Sequence, residues 1–419
     1  MIKKLLSRQD ILLGLLTASL FSSFIYFAYL DFEAKFLNTI TAFIAFYLIL
    51  TISRTALFYA GFFIGVLWFW WVGISVIHYD LPQMIPVVVL GFGLGYALIF
   101  LATSIRDKVL IRATLFFGLS FIAPLNFNWL KPELLLVDSF FNIDKLSFAA
   151  ILISIVLFEM LKTYSFRLKQ FSLKDDLKKF LFIIPLVFAF DYSTPKEQEL
   201  LSVDIDLPAF NIEQDKKWDR NYLSEIIDIN LNTIDKSIEN RYDVVVLPET
   251  AFPMILNRYD ELLEILKEKS QNIAIITGAL HSEDGLYNAT YFFNKGEMQI
   301  AHKVVLVPFG EEVPFPKVIR DWINDTFYGG AEDYKTADKP TDFIVDGVKF
   351  RNAICYEATT DTLYEGNPKY MIAMSNNAWF TPSTEPTLQK LLFKYFAKKY
   401  DTTIYASNNK SENYIVTPN

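Results

Sequence analysis

The sequence predicts a multi-span α-helical membrane domain followed by a water-exposed α/β domain, and three observations lead to this class. With 52% hydrophobic and 16% aromatic residues, the 419-residue chain is too apolar for one soluble globule. Residues 1–190 contain runs that approach or reach the roughly 20 apolar residues needed to cross a bilayer, and no such run occurs from Asp191 to Asn419. Beyond those runs, short apolar segments alternate with amphipathic ones, as in layered α/β folds. We therefore expect a membrane domain at 1–191 and a second domain at 192–419.

The apolar runs predict about seven membrane spans, at residues 11–30, 36–53, 55–77, 84–104, 109–125, 147–162 and 179–191. No small-residue cleavage site follows the first run, so we interpret it as a retained anchor. With a cytoplasmic N-terminus, thirteen Lys and Arg lie in cytoplasmic segments and three in the opposite loops, as the positive-inside rule requires. Seven spans then place the second domain outside the cytoplasm, at the periplasmic face of a bacterial inner membrane. An even number of spans would leave the basic 162–179 loop on the wrong side.

Charge and cysteine content exclude several classes of function. The first 190 residues carry 16 Lys and Arg against 11 Asp and Glu, whereas the remainder carries 23 against 36. An acidic second domain without a basic stripe argues against a nucleic-acid partner. The single cysteine, Cys355, excludes an intramolecular disulfide. The three histidines are too scattered for a metal site, so we expect no metal: they are His78, His281 and His302.

The second domain reads as an alternation of buried strands and amphipathic helices. Near-continuous Val and Ile runs predict strands that are buried on both faces, at 243–247, 273–277, 287–293, 349–355 and 370–375. Amphipathic periodicity predicts helices near 220–239, 258–269 and 384–400.

Three segments place a reactive side chain at the end of an apolar run, where α/β folds form pockets. Residues 245–253 present Glu249 after a proline, residues 302–314 present Lys303 and then Glu311, and residues 351–357 present Cys355. Taken alone, Cys355 is more often a structural cysteine, and Lys303 could be a snorkelling lysine.

As a set, these residue types suit nucleophilic catalysis. A thiolate is the reactive form of cysteine, and a neighbouring base or cation promotes its formation. Glu249 can accept the thiol proton, and the Lys303 ammonium can stabilise an oxyanion. The backbone N–H of Tyr356 is a second candidate donor to that oxyanion. The sequence therefore predicts Glu249, Lys303 and Cys355 as catalytic residues.

The three segments resemble, in the same order, the Glu-Lys-Cys motifs of the nitrilase (carbon–nitrogen hydrolase) superfamily. Together with the membrane half, the chain resembles the apolipoprotein N-acyltransferase family. The most specific matches are Pro-Phe-Gly-Glu after Lys303, the Cys-Tyr-Glu run at Cys355, and Ser-Asn-Asn-Ala-Trp-Phe at 375–380. The resemblance implies that the second domain is an α/β nitrilase-like α-β-β-α sandwich.

The resemblance also implies a two-step acyl transfer. Cys355, deprotonated by Glu249, would attack an acyl ester of a phospholipid, typically phosphatidylethanolamine, and form a thioester. The α-amine of a diacylglyceryl-cysteine apolipoprotein would then take the acyl chain, while Lys303 stabilises both tetrahedral intermediates. No cofactor is implied, and we expect a monomer.

Four further positions match the family in supporting roles. Glu311 would be a second essential glutamate that orients Lys303, and Trp218 would help bind substrate. Tyr356 and Glu357 would support the active-site loop. For Trp218 and Glu357, packing and a simple salt bridge remain open as alternatives.

Two competing functions keep the same fold. A membrane-tethered amidase or nitrilase would share the three catalytic residues and hydrolyse a small amide. A catalytically inactive binding module would keep the fold without the chemistry. The family continues beyond Asn408 and Asn409 with further strands and a final span, which we expect this sequence to lack because it stops at Asn419.

Overall fold

The computed structural model describes residues 7–32, 34–167, 180–194, 201–327 and 333–418. The chain forms two compact units. The first unit consists of Met1–Ile122, Leu130–Thr194 and Pro382–Leu391. The second unit consists of Ala123–Trp129, Pro195–Thr381 and Leu392–Asn419.

The first unit is helical. Its α-helices are α1 Arg8–Tyr29, α2 Lys35–Thr51, α3 Arg54–Phe69, α4 Ile85–Ala102, α5 Val109–Leu119, α6 Lys145–Arg167 and α7 Ile183–Ala189. Three helical stretches among the described residues are long and apolar enough to cross a membrane: Arg8–Tyr29, Arg54–Tyr79 and Pro82–Ala102. Helices α2 and α5 are apolar but shorter. The total of seven spans stays a prediction, and most of the basic loop, residues 168–179, lies outside the described residues.

Aromatic side chains and glycines hold these helices together. The buried ring of Phe21 in α1 contacts Phe46, Trp68, Phe100 and Phe116, with centroids 5.8 to 6.5 Å apart. Between α3 and α4 the backbones approach closely: a Cβ on Gly65 would lie 2.5 Å from the Phe92 carbonyl oxygen. Small residues of this kind permit close helix packing in membranes, where the hydrophobic effect does not drive association.

The described residues of the second unit form two β-sheets. The first has the strand order β1-β2-β4-β5-β6, with β3 paired to β4. The second has the order β11-β10-β9-β8-β7. The strands are β1 Ile205–Asp206, β2 Val244–Val246, β3 Phe252–Ile255, β4 Ala274–Ser282, β5 Leu286–Asn294, β6 Glu297–His302, β7 Asp342–Val345, β8 Val348–Ile354, β9 Tyr370–Asn376, β10 Thr403–Asn409 and β11 Tyr414–Val416. The helices are α8 Gln214–Lys217, α9 Leu223–Glu239, α10 Asp260–Lys269, α11 Lys317–Phe327 and α12 Glu385–Tyr400.

The alternation of side chains along β2 shows how the layers stack. Val244 and Val246 pack in a core formed with residues of the second sheet, such as Ile372. Val245 points to the opposite face, into a core shared with Ile234 of α9 and apolar residues of α10. On the second sheet, the ring of Phe393 in α12 lies 6.1 Å from that of Tyr414 in β11. The unit is thus an α-β-β-α sandwich, and the predicted fold class is confirmed.

The five predicted strands and three predicted helices of this domain are present, but six strands were not predicted: β1, β3, β6, β7, β10 and β11. Most of these are short, and β6 alternates exposed with less exposed residues instead of forming an apolar run. The predicted strand 349–355 was displaced by one residue, because β8 runs from Val348 to Ile354 and Cys355 begins a turn.

Candidate active site

Glu249 lies in a tight turn beyond the end of β2. Thr250 has a φ of 46°, an uncommon conformation for a residue other than glycine. The turn rests directly on Gly278 of β4, where a Cβ would come within 2.4 Å of the Thr250 nitrogen. The Glu249 carboxylate accepts hydrogen bonds from the Asn288 side-chain amide (2.8 Å) and the Asn376 backbone N–H (2.9 Å). Both carboxylate oxygens are therefore fixed in direction.

Lys303 follows β6 directly and is completely buried. Its Nζ lies 2.7 Å from Glu311 Oε2 and 3.9 Å from Glu249 Oε1. Burial alone would lower the pKa of Lys303, but the charges of Glu311 and Glu249, and to a lesser extent Cys355, raise it above its usual value. Lys303 is thus a fixed cation between two carboxylates, a charge arrangement suited to stabilising an oxyanion.

Asn288, which the sequence-based interpretation missed, connects the charged residues. Its Nδ2 donates to Glu249 Oε1 and to Glu311 Oε1, each at 2.8 Å, and its backbone carbonyl accepts from the Lys303 N–H at 2.9 Å. Since both side-chain partners are carboxylates, the amide nitrogen must face them. One residue of β5 therefore positions three charged residues from different parts of the chain.

Cys355 begins a 3₁₀ turn, Cys355–Thr359, at the end of β8. Its φ of 55° lies in the left-handed region, which costs free energy for a residue with a Cβ. Strained backbone of this kind concentrates at functional sites. The side chain is partly exposed, and its charge acts on the pKa of Lys303. The turn thus sets the thiol apart from the ladder of β8.

Glu357 ties the cysteine turn to the chain segment after Lys303. Its Oε1 accepts from the N–H of Ile354, and its Oε2 accepts from those of Val304 (2.7 Å) and Val305 (3.1 Å). Burial raises the pKa of Glu357 to about 7, although Lys303 and the three backbone donors oppose this shift. Its position favours support of the turn over a surface role.

Tyr356 is buried beside the nucleophile candidate. Its hydroxyl donates to the Asn126 carbonyl (2.7 Å) and accepts from the Asn128 N–H (2.9 Å). Its ring stacks on Phe127 at an interplanar angle of 5°. The segment Ala123–Trp129 therefore supports the residue that follows Cys355.

The structure brings Glu249, Lys303 and Glu311 into one cluster, while their chemical roles stay predictions. Trp218 is 43% exposed and its predicted substrate role is untested. Asn288 and Lys217 were missed because neither belongs to a recognised motif, whereas Asn376 lies in the matched segment 375–380 but was given no role. An Asn inside the apolar run 287–293 was nevertheless a usable signal, since strands are depleted in Asn. Within the described ranges, His, Cys, Asp and Glu form no group of three that could hold a metal ion.

The helical unit and the α-β-β-α unit, with its charged cluster beside a cysteine turn, define a membrane protein that carries an α-β-β-α sandwich domain. Comparison with known sequences gives the family. The model of the apolipoprotein N-acyltransferase integral membrane domain matches residues 8–174. Relatives of this name are 42% and 35% identical over almost the whole chain. The chain therefore belongs to the apolipoprotein N-acyltransferase family, and it is a membrane-embedded acyltransferase that modifies lipoproteins.

Relatives named apolipoprotein N-acyltransferase match almost the whole chain. The one from Wolinella succinogenes is 42% identical over 97% of this chain and 95% of its own length. The one from Campylobacter jejuni is 35% identical over 96% of this chain and 88% of its own length. The one from Helicobacter pylori is 35% identical over 87% of this chain and 84% of its own length.

Solved structures with similar folds are much more distant. A CN-hydrolase superfamily protein from Xanthomonas campestris is 14% identical with a TM-score of 0.38, covering 50% of this chain and 77% of its own. An amidase from Nesterenkonia sp. is 11% identical with a TM-score of 0.38, and the match covers 53% of this chain and 86% of the amidase. Similarity at this level carries no argument about the reaction.

Proposed function

We propose that this chain transfers an acyl chain from a phospholipid, through a thioester on Cys355, to the α-amino group of an N-terminal diacylglyceryl-cysteine, as the last step of lipoprotein maturation. The observation that carries the proposal is the buried Lys303, which pairs with Glu311 at 2.7 Å and lies 3.9 Å from Glu249. Glu357 joins the turn that begins at Cys355 to the residues that follow Lys303. These residues supply a base, a cation and a nucleophile at one place.

In the first step, Glu249 accepts the thiol proton and Cys355 Sγ attacks the ester carbonyl carbon of the phospholipid. The carbonyl oxygen becomes an oxyanion, which the Lys303 ammonium and the Tyr356 backbone N–H stabilise. When the tetrahedral intermediate collapses, the ester C–O bond breaks and Glu249 returns the proton to the leaving alkoxide. Lysophospholipid leaves, and the acyl chain remains on Cys355 as a thioester.

In the second step, the α-amine of the acceptor attacks the thioester carbonyl and loses a proton to Glu249. Collapse breaks the C–S bond, forms the amide and returns the proton to the thiolate. Glu311 keeps the Lys303 ammonium in place through both steps, because it is the closest carboxylate to Nζ. Trp218, which is exposed beyond α8, contributes to substrate binding.

The proposed location is the inner membrane, with the catalytic domain on the periplasmic side. It rests on the distribution of Lys and Arg among the predicted loops. Donor and acceptor are both lipid-anchored, so a catalytic domain attached to the membrane meets both without extracting either from the bilayer. We expect the enzyme to act as a monomer, with phosphatidylethanolamine as the donor.

The test uses the full chain in phospholipid vesicles that contain phosphatidylethanolamine with an isotopically labelled acyl chain. Intact-protein mass spectrometry should show one added acyl group, located on Cys355 by peptide mapping and lost in the Cys355→Ala variant. When a diacylglyceryl-cysteine peptide is added, the labelled acyl chain should move from Cys355 to the α-amine of the peptide. The same peptide with an acetylated α-amine should not accept the acyl chain.

An enzyme that forms no lipid adduct but hydrolyses small amides would contradict the proposal and support the amidase alternative. Full transfer by Cys355→Ala would exclude the thioester.

A further inference from the structure

Lys217, the last residue of α8, is a buried lysine to which the proposed mechanism assigns no role. It is 2% exposed, and its Nζ donates a hydrogen bond of 2.8 Å to the backbone carbonyl of Glu249. Its neighbour Lys216 is exposed, with its ammonium 5.3 Å from the centroid of the Tyr222 ring. Two adjacent lysines thus occupy opposite environments, and only the buried one reaches the Glu249 turn.

Burying this ammonium is unfavourable. Burial lowers the pKa of Lys217 to about 7, even though the charge of Glu249 acts in the opposite direction. Replacing a buried ion by an apolar side chain of similar volume is often neutral or stabilising for a fold. Packing of the core therefore does not explain a lysine at this position. Its hydrogen bond to the neighbouring site does.

The backbone carbonyls of the Glu249 turn need hydrogen-bond donors. The turn lies beyond the end of β2, so its carbonyls cannot accept the hydrogen bonds of the sheet and need other donors. Lys217 Nζ donates to the carbonyl of Glu249, and the side-chain amide of Asn230 in α9 donates to that of Ala251 at 2.7 Å. Gly278 of β4 also packs against this turn and leaves no room for a Cβ there. The main chain at Glu249 is held by Lys217 independently of the contacts that hold its carboxylate.

We propose that Lys217 is a positioning residue for the general base: it fixes the main chain of Glu249, and with it the direction in which the carboxylate faces the Cys355 thiol. This inference rests on the proposed role of Glu249. It predicts that removal of the Lys217 ammonium slows proton transfer from the thiol without weakening binding of the acyl donor.

The test compares Lys217→Met, which keeps an unbranched apolar stem but lacks the terminal donor, with Lys216→Met as the matched control. Single-turnover thioester formation in phosphatidylethanolamine vesicles should fall about 10- to 100-fold in Lys217→Met, as expected for a misplaced catalytic group. The donor concentration at half-maximal rate should change less than about twofold. Lys216→Met should match the wild type in both quantities.

A second readout does not depend on the lipid substrate. The alkylation rate of Cys355 by iodoacetamide at pH 7 should fall in Lys217→Met, towards the rate in Glu249→Gln, which sets the lower limit. Rates are normalised to the folded fraction, measured by near-ultraviolet circular dichroism. If Lys217→Met does not fold, Lys217→Gln replaces it; its amide is one bond shorter and cannot make the same contact.

Wild-type rates of thioester formation and alkylation in either folded variant would overturn the inference. A wild-type enzyme that forms no thioester would instead contradict the proposed function, and the alkylation comparison would still decide the role of Lys217.

Discussion

Asn288→Asp should destabilise the protein strongly at neutral pH and much less in mild acid. The wild-type amide donates two hydrogen bonds of 2.8 Å, one to Glu249 and one to Glu311. The substitution keeps the shape of the side chain but places a carboxylate against two carboxylates. A hydrogen bond to a charged group contributes roughly 1.5–3 kcal/mol, so the loss of both costs about 3–6 kcal/mol.

The pH dependence follows from the neighbouring charges. Like charges raise the pKa of the introduced carboxyl in the folded protein above its value of about 3.9 in the unfolded chain. The folded variant therefore holds a proton that the unfolded chain releases. Its stability relative to the wild type should rise as the pH falls from 7 towards 4, because the protonated carboxyl can again donate one hydrogen bond.

The assay is thermal unfolding of the full chain in detergent micelles, followed by near-ultraviolet circular dichroism. For a unit of about 200 residues, 3–6 kcal/mol corresponds to a fall in Tm of roughly 6–24 °C at pH 7.5. About half of that difference should remain at pH 5. The exposed Asn272→Asp is the control, with an expected change within about 0.5 kcal/mol. A fall below 2 °C at pH 7.5, or the same fall at both pH values, would refute the bridging role of Asn288.

Two further outcomes are expected. Gly278→Ala would place a Cβ 2.4 Å from the Thr250 nitrogen and 2.8 Å from the Glu249 Cα, so the turn must shift. Thioester formation by the folded fraction should fall by about 100-fold. The control Gly118→Ala, at a helical glycine of α5 with open space around it, should retain the wild-type rate. Wild-type activity in Gly278→Ala would show that the base tolerates displacement. Burial raises the pKa of Glu357 from 4.5 to about 7. Between pH 4.5 and 7 the folded protein therefore holds a proton that the unfolded chain releases. The contribution of Glu357 to stability is lost as the pH rises through this range. Glu357→Gln should therefore show a flatter dependence of Tm on pH between 4.5 and 7 than the wild type, and an unchanged slope would argue against titration of Glu357.

The sequence indicated the two-part architecture because the decisive signals are local. Apolar runs of membrane-spanning length distinguish the first unit, and Val244–Val246 reads as a strand buried on both faces, which the two cores on either side confirm. Strands without such a signal were missed. β6 has a polar, half-exposed pattern, and its existence depends on pairing with β5 through six residues.

The order of Glu249, Lys303 and Cys355 along the chain was enough to suggest a reactive site, because each follows an apolar run and each has a distinct chemical capacity. The backbone of Cys355 was not predictable in the same way. Its positive φ occurs in a turn whose Glu357 accepts hydrogen bonds from Ile354, Val304 and Val305, and two of these partners lie about fifty residues away along the chain.

The sequence by itself thus determined the membrane half, the layered second half and the reactive residue types. Only the tertiary structure decided which groups hold those residues in place. Glu249 takes its hydrogen bonds from Asn288 and Asn376, which are 39 and 127 residues away along the chain, and its backbone contact from Lys217. Hydrophobic periodicity is a property of neighbouring residues, whereas the partners of a buried carboxylate are chosen by which strands and helices pack together.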